Sequence, residues 1–486
     1  MPDWSALFAT KSVDELREHA QGQHGLKRSL GALDLVTLGI GAIIGTGIFV
    51  LTGHAAARNA GPAVALSFVV AGVAATFAGL CYAEMASMIP VSGSAYTYAY
   101  ATMGELVAWI IGWDLILEYL VSAAAVSVGW SGYAVAFLHD TFGVDLPRAW
   151  SSAPVLWSEG HQRFEATGAF LNVPAVVISG AVTMLLVRGI KESARINTII
   201  VFVKVAVVLL FIAFAAGFVR TSNWHPFVPP NEGAFGRFGV SGVFQGATMV
   251  FFAYIGFDAV STAAQEARNP QRDLPIGILV SLAICTVLYI AVSLILTGVV
   301  PYTQLNVAHP IALGVEATGQ RWLATAVEVG AIAGLSSVML VMLMGQPRIF
   351  FSMAHDGLFP AIAGKVHERF GTPYVTTILT GVVCAIAGGV LPIDILAELT
   401  SIGTLFAFVL VSVGVMILRI KKPEIPRTFR VPGGTYAVPV LGILTSGTLM
   451  YTATTATIVR LFVWMAIGLV IYFSYGRKHS KLRAAS

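Results

Sequence analysis

Gly39-Ile40-Gly41-Ala42-Ile43-Ile44-Gly45-Thr46-Gly47 places four glycines within nine residues, in the middle of an apolar run that reaches from about residue 33 to residue 54. Each glycine weakens a helix by about 1 kcal/mol relative to alanine, so a helix carrying this run is expected to break there. A second stretch, Phe251-Phe252-Ala253-Tyr254-Ile255-Gly256-Phe257-Asp258, sets a glycine and a carboxylate at similar depth in another apolar run. Two broken helices at corresponding places are the pattern of an inverted repeat with a binding site between its halves. The competing explanation is close helix packing through small residues, as in Gly41-x-x-x-Gly45. It accounts for one such run, but not for the matched position of the second.

Around these stretches the whole chain is apolar. Of its 486 residues 56% are hydrophobic and 11% charged, less than half the charge of an ordinary globular protein at about 25%. A soluble enzyme is excluded, and an all-α polytopic membrane protein of about 12 helices is expected. The candidate spans are 33–54, 62–89, 105–136, 173–188, 195–220, 240–266, 275–300, 323–354, 374–391, 396–418, 437–457 and 459–476, the fourth and ninth being short. With the N-terminus inside, the even-numbered loops and both tails collect roughly three times as many Lys and Arg as the opposite side, which predicts both termini in the cytoplasm. The net charge of +4 is thereby used up in loops, and no nucleic acid partner is implied. Residues 1–29 lack the apolar core and cleavage site of a signal peptide. Cys81, Cys285 and Cys384 all lie in apolar runs and suggest neither disulfide nor zinc.

Several motifs in order resemble one family. Gly39 to Phe49 (GIGAIIGTGIF), Pro90 to Tyr96 (PVSGSAY), Gly112 to Glu118 (GWDLILE), Phe252 to Thr262 (FAYIGFDAVST) and Glu266 to Pro275 (EARNPQRDLP) resemble bacterial members of the cationic amino acid transporter family. That family belongs to the amino acid, polyamine and organocation superfamily. The resemblance runs from about Gly31 to the C-terminus. It implies a leucine-transporter-like fold in the inner (plasma) membrane: a cytoplasmic segment 1–30, inverted repeats 31–220 and 221–420 of five spans each, two further helices in 421–476, and a cytoplasmic tail 477–486. It also implies amino acid transport, commonly driven by protons. A small single-span partner protein would leave no trace in this sequence.

An amino acid brings a carboxylate and an ammonium into a dry site, and broken helices can satisfy both. Free N–H groups near Thr46 and Gly47, at the start of a half-helix, can hold the carboxylate. By resemblance, Thr46 adds its hydroxyl, and the carbonyls of Ile43, Phe252, Ala253 and Ile255 accept from the ammonium. Lys204 lies nine residues past Arg195, or roughly 13.5 Å along a helix, too deep for its side chain to snorkel fully. A lysine that gains and loses a proton there can couple transport to protons. The resemblance places it near Gly41 and Ala42, and the alternative is a permanently charged structural lysine bonded to carbonyls.

Asp114 and Glu118, four apart, share a helix face. The resemblance assigns Glu118 and Asp258 to the proton route or its gate. For Asp258 the alternative is a cap on the helix break, Asp114 is expected to be a structural partner, and Glu84 and Glu105, near span ends, are expected to face water or loop backbone. Met342, on the eighth span, would fill space needed by a long cationic side chain. That favours small or medium neutral amino acids over arginine, with cationic amino acids or polyamines as the alternative. Gln265 stands where many relatives carry a second acid before Glu266.

Other classes are less well supplied. Gly129-Trp130-Ser131-Gly132 matches the core of intramembrane serine proteases, but all ten histidines, His54 and His355 among them, fall in loops, tails or span ends. The same distribution argues against a buried metal site. No GxxxxGK[ST] occurs, so no nucleotide cofactor is expected. A repeated filter loop or a ring of pore charge, as in a channel, is not seen. A sensor that binds amino acids without moving them would differ only in flux.

Overall fold

The computed structural model describes residues 5–12, 30–89, 94–158, 161, 163–189, 194–264 and 266–484. Gln265, and residues 90–93 of the second motif, lie outside the described residues.

Among the described residues the elements are helical apart from one hairpin and an isolated bridge between Leu30 and Ala267. The helices used below are α1 (Ala32–Ile43), α2 (Val64–Met88), α3 (Ser94–Thr102), α4 (Glu105–Ile116), α5 (Ser122–Phe142), α6 (Val173–Val187), α7 (Ala194–Ala215), α8 (Gly239–Val250), α9 (Pro270–Val299), α10 (Pro310–Glu316), α11 (Arg321–His355), α12 (Tyr374–Val390), α13 (Ile393–Lys421), α14 (Ala437–Tyr451) and α15 (Thr455–Ile471). Among the described residues eight helical runs are long and apolar enough to cross a membrane, and four shorter apolar helices accompany them. One of the eight, Gly47–Met88, has 42 residues, roughly 63 Å of helix against about 30 Å of hydrocarbon. It is interrupted at Gly61, which adopts φ 60°, so one run contains the second half of the first expected span and all of the second. The hairpin, β1 (Val155–Ser158) with β2 (Arg163–Ala166), is antiparallel and pairs Val155 with Ala166. It lies between α5 and α6, where only a loop was foreseen.

Local chemistry sets several boundaries. Asn172 caps α6 by accepting from the N–H of Ala175 at 3.3 Å, with Pro174 in the first turn, where its missing N–H costs nothing. Thr454 caps α15 in the same way through Thr457. Large apolar side chains such as Phe202, Phe214, Ile386, Leu444, Phe462 and Val470 point outward from α7, α12, α14 and α15. An exposed apolar belt of this extent fits lipid and not water.

Inside, α9 packs on α1 and α2, and α8 packs on α2. Separately, α5, α6, α11 and α12 pack against one another. Each group joins two consecutive expected spans to the pair five spans later: the first, second, sixth and seventh in one, the third, fourth, eighth and ninth in the other.

The two ends of the molecule are closed differently. At one end Glu84 is fully buried and bidentate with Arg419, its Oε1 2.8 Å from Arg419 Nε, and it also accepts from the N–H of Val431 at 2.8 Å. Glu105 is equally buried and accepts from Tyr472 (2.8 Å), Arg483 (3.1 Å) and Ser480. Neither acid faces water: Glu84 meets the loop backbone at Val431, one of the two surroundings expected for it, whereas Glu105 is met by the side chains of Tyr472, Ser480 and Arg483. Each is buried because arginines from distant segments neutralise it, a pairing that spacing along the chain does not reveal. Asp356, at the same end, bonds Lys11 and Tyr96, and its carbonyl accepts from the N–H of Lys481. Segments near both chain termini thus meet on one face. At the other end His54 Nδ1 and Arg58 lie 2.7 and 2.6 Å from the Asp394 carboxylate, and a cavity of about 790 Å³ opens among Arg58, Trp157, Glu232, Asp394, Glu398 and Arg460.

Candidate functional site

The first helix breaks where the glycines predict. α1 ends at Ile43, Ile44 takes an extended conformation (ψ 101°), and helix resumes near Thr46 with a π turn at Gly47–Leu51. A helix end leaves its last carbonyls without intrahelical donors. The Gly41 carbonyl receives Lys204 Nζ at 2.7 Å, and the same ammonium lies 3.2 Å from the Ile44 carbonyl. The Ile43 carbonyl receives the hydroxyl of Tyr289 on α9 at 2.9 Å.

The second break lies alongside. After α8 the chain tightens into a 3-10 turn at Phe251–Tyr254, Ile255 is extended, Gly256 adopts φ 108°, and a short helix follows at Ala259–Thr262. Gly256 can take that conformation because it has no Cβ. A Cβ there would also come within 2.9 Å of the Ala42 carbonyl oxygen. Gly47 abuts the backbone of Ala253 in the same way, so the two breaks touch at two points. Tyr289 joins them chemically: its hydroxyl is 2.9 Å from the carbonyls of both Ile43 and Ala253, with one proton to share between them. Tyr254 donates to the Phe68 carbonyl of α2 at 2.8 Å.

The expected site residues therefore converge, with differences in detail. Thr46 is fully buried, and its hydroxyl has no hydrogen-bond partner. Gly129 of α5 approaches so closely that a Cβ there would lie 3.0 Å from that oxygen. Of the carbonyls assigned to a substrate ammonium, those of Ile43 and Ala253 already accept from Tyr289, and that of Phe252 accepts from the N–H of Ile255 at 3.2 Å. Each retains a second lone pair. Met342 is buried on α11 at 2% exposure.

Lys204 is fully buried, its stem against Gly334 of α11. Asp258 immediately precedes the short helix, but its side chain makes no cap hydrogen bond. Its carboxylate accepts instead from Tyr119 at 2.8 Å, and the Tyr119 ring lies against Gly345 of α11. Glu118 lies beside Asp258 and Thr404, within reach of both side chains. Asp114 Oδ1 is unpartnered and packs on Gly403 of α13. Ser131 of the protease-like tetrapeptide donates to Asn172 at 2.6 Å, and Gly132 packs against Ala308. It is a packing surface.

Sequence reasoning missed Tyr289, Tyr119 and Thr404. Tyr289 had a visible signal, a phenol in the middle of the apolar run Ile284 to Leu294, where its hydroxyl must find a partner.

Two touching helix breaks with freed backbone groups, enclosed in an apolar helical bundle, are the architecture of a secondary transporter. Residues 30–476 match the family described as amino acid permease. The chain belongs to that family, and it is a transporter and not an enzyme. It is 52% identical over 478 residues to the branched-chain amino acid permease BcaP of Bacillus subtilis (strain 168), covering 98% of this chain and 99% of that one. It is 46% identical to the methylthioribose transporter of the same organism, at 98% and 99% coverage. It is also 38% identical to the vacuolar cationic amino acid transporter 4 of Arabidopsis thaliana, over 86% of this chain and 68% of that one.

Proposed function

We propose that the protein is a proton-coupled symporter that takes up neutral amino acids across the plasma membrane by alternating access, with both termini in the cytoplasm. The observation that carries this reading is the meeting of the two breaks around the buried, unpartnered hydroxyl of Thr46. The substrate carboxylate would rest on Thr46 and the N–H groups that open the half-helix at Gly47. Its ammonium would take the remaining lone pairs of Ile43, Ala253 and Ile255. The packing of α1, α2, α8 and α9 as one group and of α5, α6, α11 and α12 as another supports repeats at 31–220 and 221–420 that each contribute to both groups, and these two groups would be the bodies that move against each other.

For the side chain, Met342 of α11 would fill volume that a long cationic side chain needs. The relatives named for branched-chain amino acids and for methylthioribose both concern solutes of no net charge. Leucine, isoleucine and valine are therefore the first substrates to try. The protons would be carried by the facing carboxyls of Glu118 and Asp258 and gated by Lys204, whose charge replaces a bound cation at the first break.

Uptake into proteoliposomes tests all of this together. Labelled leucine and alanine should accumulate under an inside-alkaline gradient and be competed by valine and isoleucine. Uptake of labelled arginine or a polyamine in their place would keep the fold and overturn the substrate. Binding with no flux under any gradient would make the protein a sensor.

A further inference from the structure

Away from the breaks, three carboxylates converge at the end of the molecule that carries Asp394. Asp140 lies in the last turn of α5, Glu316 ends α10, and Glu328 lies two turns into α11. One ligand oxygen from each can be chosen so that all three lie within 4.8 Å of one another. Asp140 and Glu316 are exposed, whereas Glu328 is fully buried and, among the described residues, its oxygens meet no N–H or hydroxyl donor. An ionised carboxylate buried without a donor is costly unless a cation neutralises it. Here two more acids, Asp140 and Glu316, face it. His139 stands at the rim, Nδ1 2.8 Å from Asp140 and Nε2 3.4 Å from Asp145, and can offset at most one of the charges.

We infer that Asp140, Glu316 and Glu328 form a binding site for a hard divalent cation, calcium in preference to magnesium. The donors are all carboxylate oxygens, the set such cations select. Size decides between the two ions. Calcium accepts oxygens at about 2.3–2.6 Å in a flexible geometry, whereas magnesium demands a near-ideal octahedron at about 2.0–2.1 Å, so three carboxylates carried by separate helices suit the larger ion better. The ion enters from the exposed pair. Its effect follows from what the ligands belong to. α10 packs on α11, α9 and α7 and on the half-helix Gly47–Leu51 that opens at the substrate site. A bound cation fastens α10 to the ends of α5 and α11, and so holds it over that half-helix, whatever solute the protein carries.

The test uses the purified full-length protein, stripped with EDTA and dialysed against labelled calcium chloride. One calcium per chain should bind with a dissociation constant of about 0.1–1 mM, the range of extracellular sites, and raise the melting temperature. Magnesium chloride should bind at least about tenfold more weakly. Glu328→Gln should lose both the binding and the thermal shift; should that variant not fold, Glu316→Gln, at an exposed position, serves in its place. Absence of saturable calcium binding by the wild type up to about 10 mM, or binding unchanged in Glu316→Gln and Glu328→Gln, overturns the site.

Discussion

Lys204 and Tyr289 divide between them the carbonyls released at the first break. Lys204 takes those of Gly41 and Ile44, and Tyr289 takes that of Ile43 together with Ala253 across the gap. Lys204→Met keeps the length of the stem and removes the charge. In proteoliposomes it should abolish accumulation driven by a pH gradient while leaving the protein inserted and able to exchange substrate. Gradient-driven accumulation equal to that of wild type would make the lysine purely structural. Tyr289→Phe removes one shared proton from a buried position, worth about 1–1.5 kcal/mol, and should lower the uptake rate about tenfold with little change in expression. The depth of Lys204 was legible in the sequence as a cation far from any span end. Its partners were reached only through a family resemblance, because backbone carbonyls leave no mark in a sequence. The Tyr289 contacts depend on two helices meeting from opposite sides, which periodicity along one of them does not report.

At the scale of the helix, the breaks are where sequence and structure agree most closely. Glycine density acts locally, through the backbone entropy and freedom of the residues themselves, so the interruption at Ile44 and the turn at Gly256 could be read directly. Lengths were read less well: the run Gly47–Met88 and the hairpin β1–β2 depend on how loops fold back, and hydropathy does not resolve that. The breaks also offer a matched comparison. Gly256→Ala puts a side chain at φ 108° and within 2.9 Å of the Ala42 oxygen, and should abolish uptake or prevent folding. Gly180→Ala, in α6 with open space around its Cα, should support normal uptake and stabilise the helix by up to about 1 kcal/mol. Loss of function in both would mean that the protein is intolerant of any change and that the breaks are not special.

Across the whole molecule, buried ion pairs add to helix packing in tying distant segments together. Arg419→Ala would leave Glu84 buried with Arg427 at 3.4 Å as its remaining cation. The loss should be about 3 kcal/mol, toward the low end of what breaking a buried pair costs, and would be read as a lower melting temperature in detergent. Replacing both partners, as Glu84→Met with Arg419→Met, should recover part of it, since no isolated charge then remains. A double variant less stable than Arg419→Ala would argue against a charge-pair origin. None of these pairs was foreseen, because they join residues hundreds of positions apart.

The meeting of both chain ends at Asp356 and Glu105 has a practical side. A donor dye at position 11 and an acceptor at position 483 would sit on one face, close enough for resonance energy transfer irrespective of bilayer thickness. Any rearrangement of that face during turnover would then show as a change in colour, readable in intact cells without a radioactive solute.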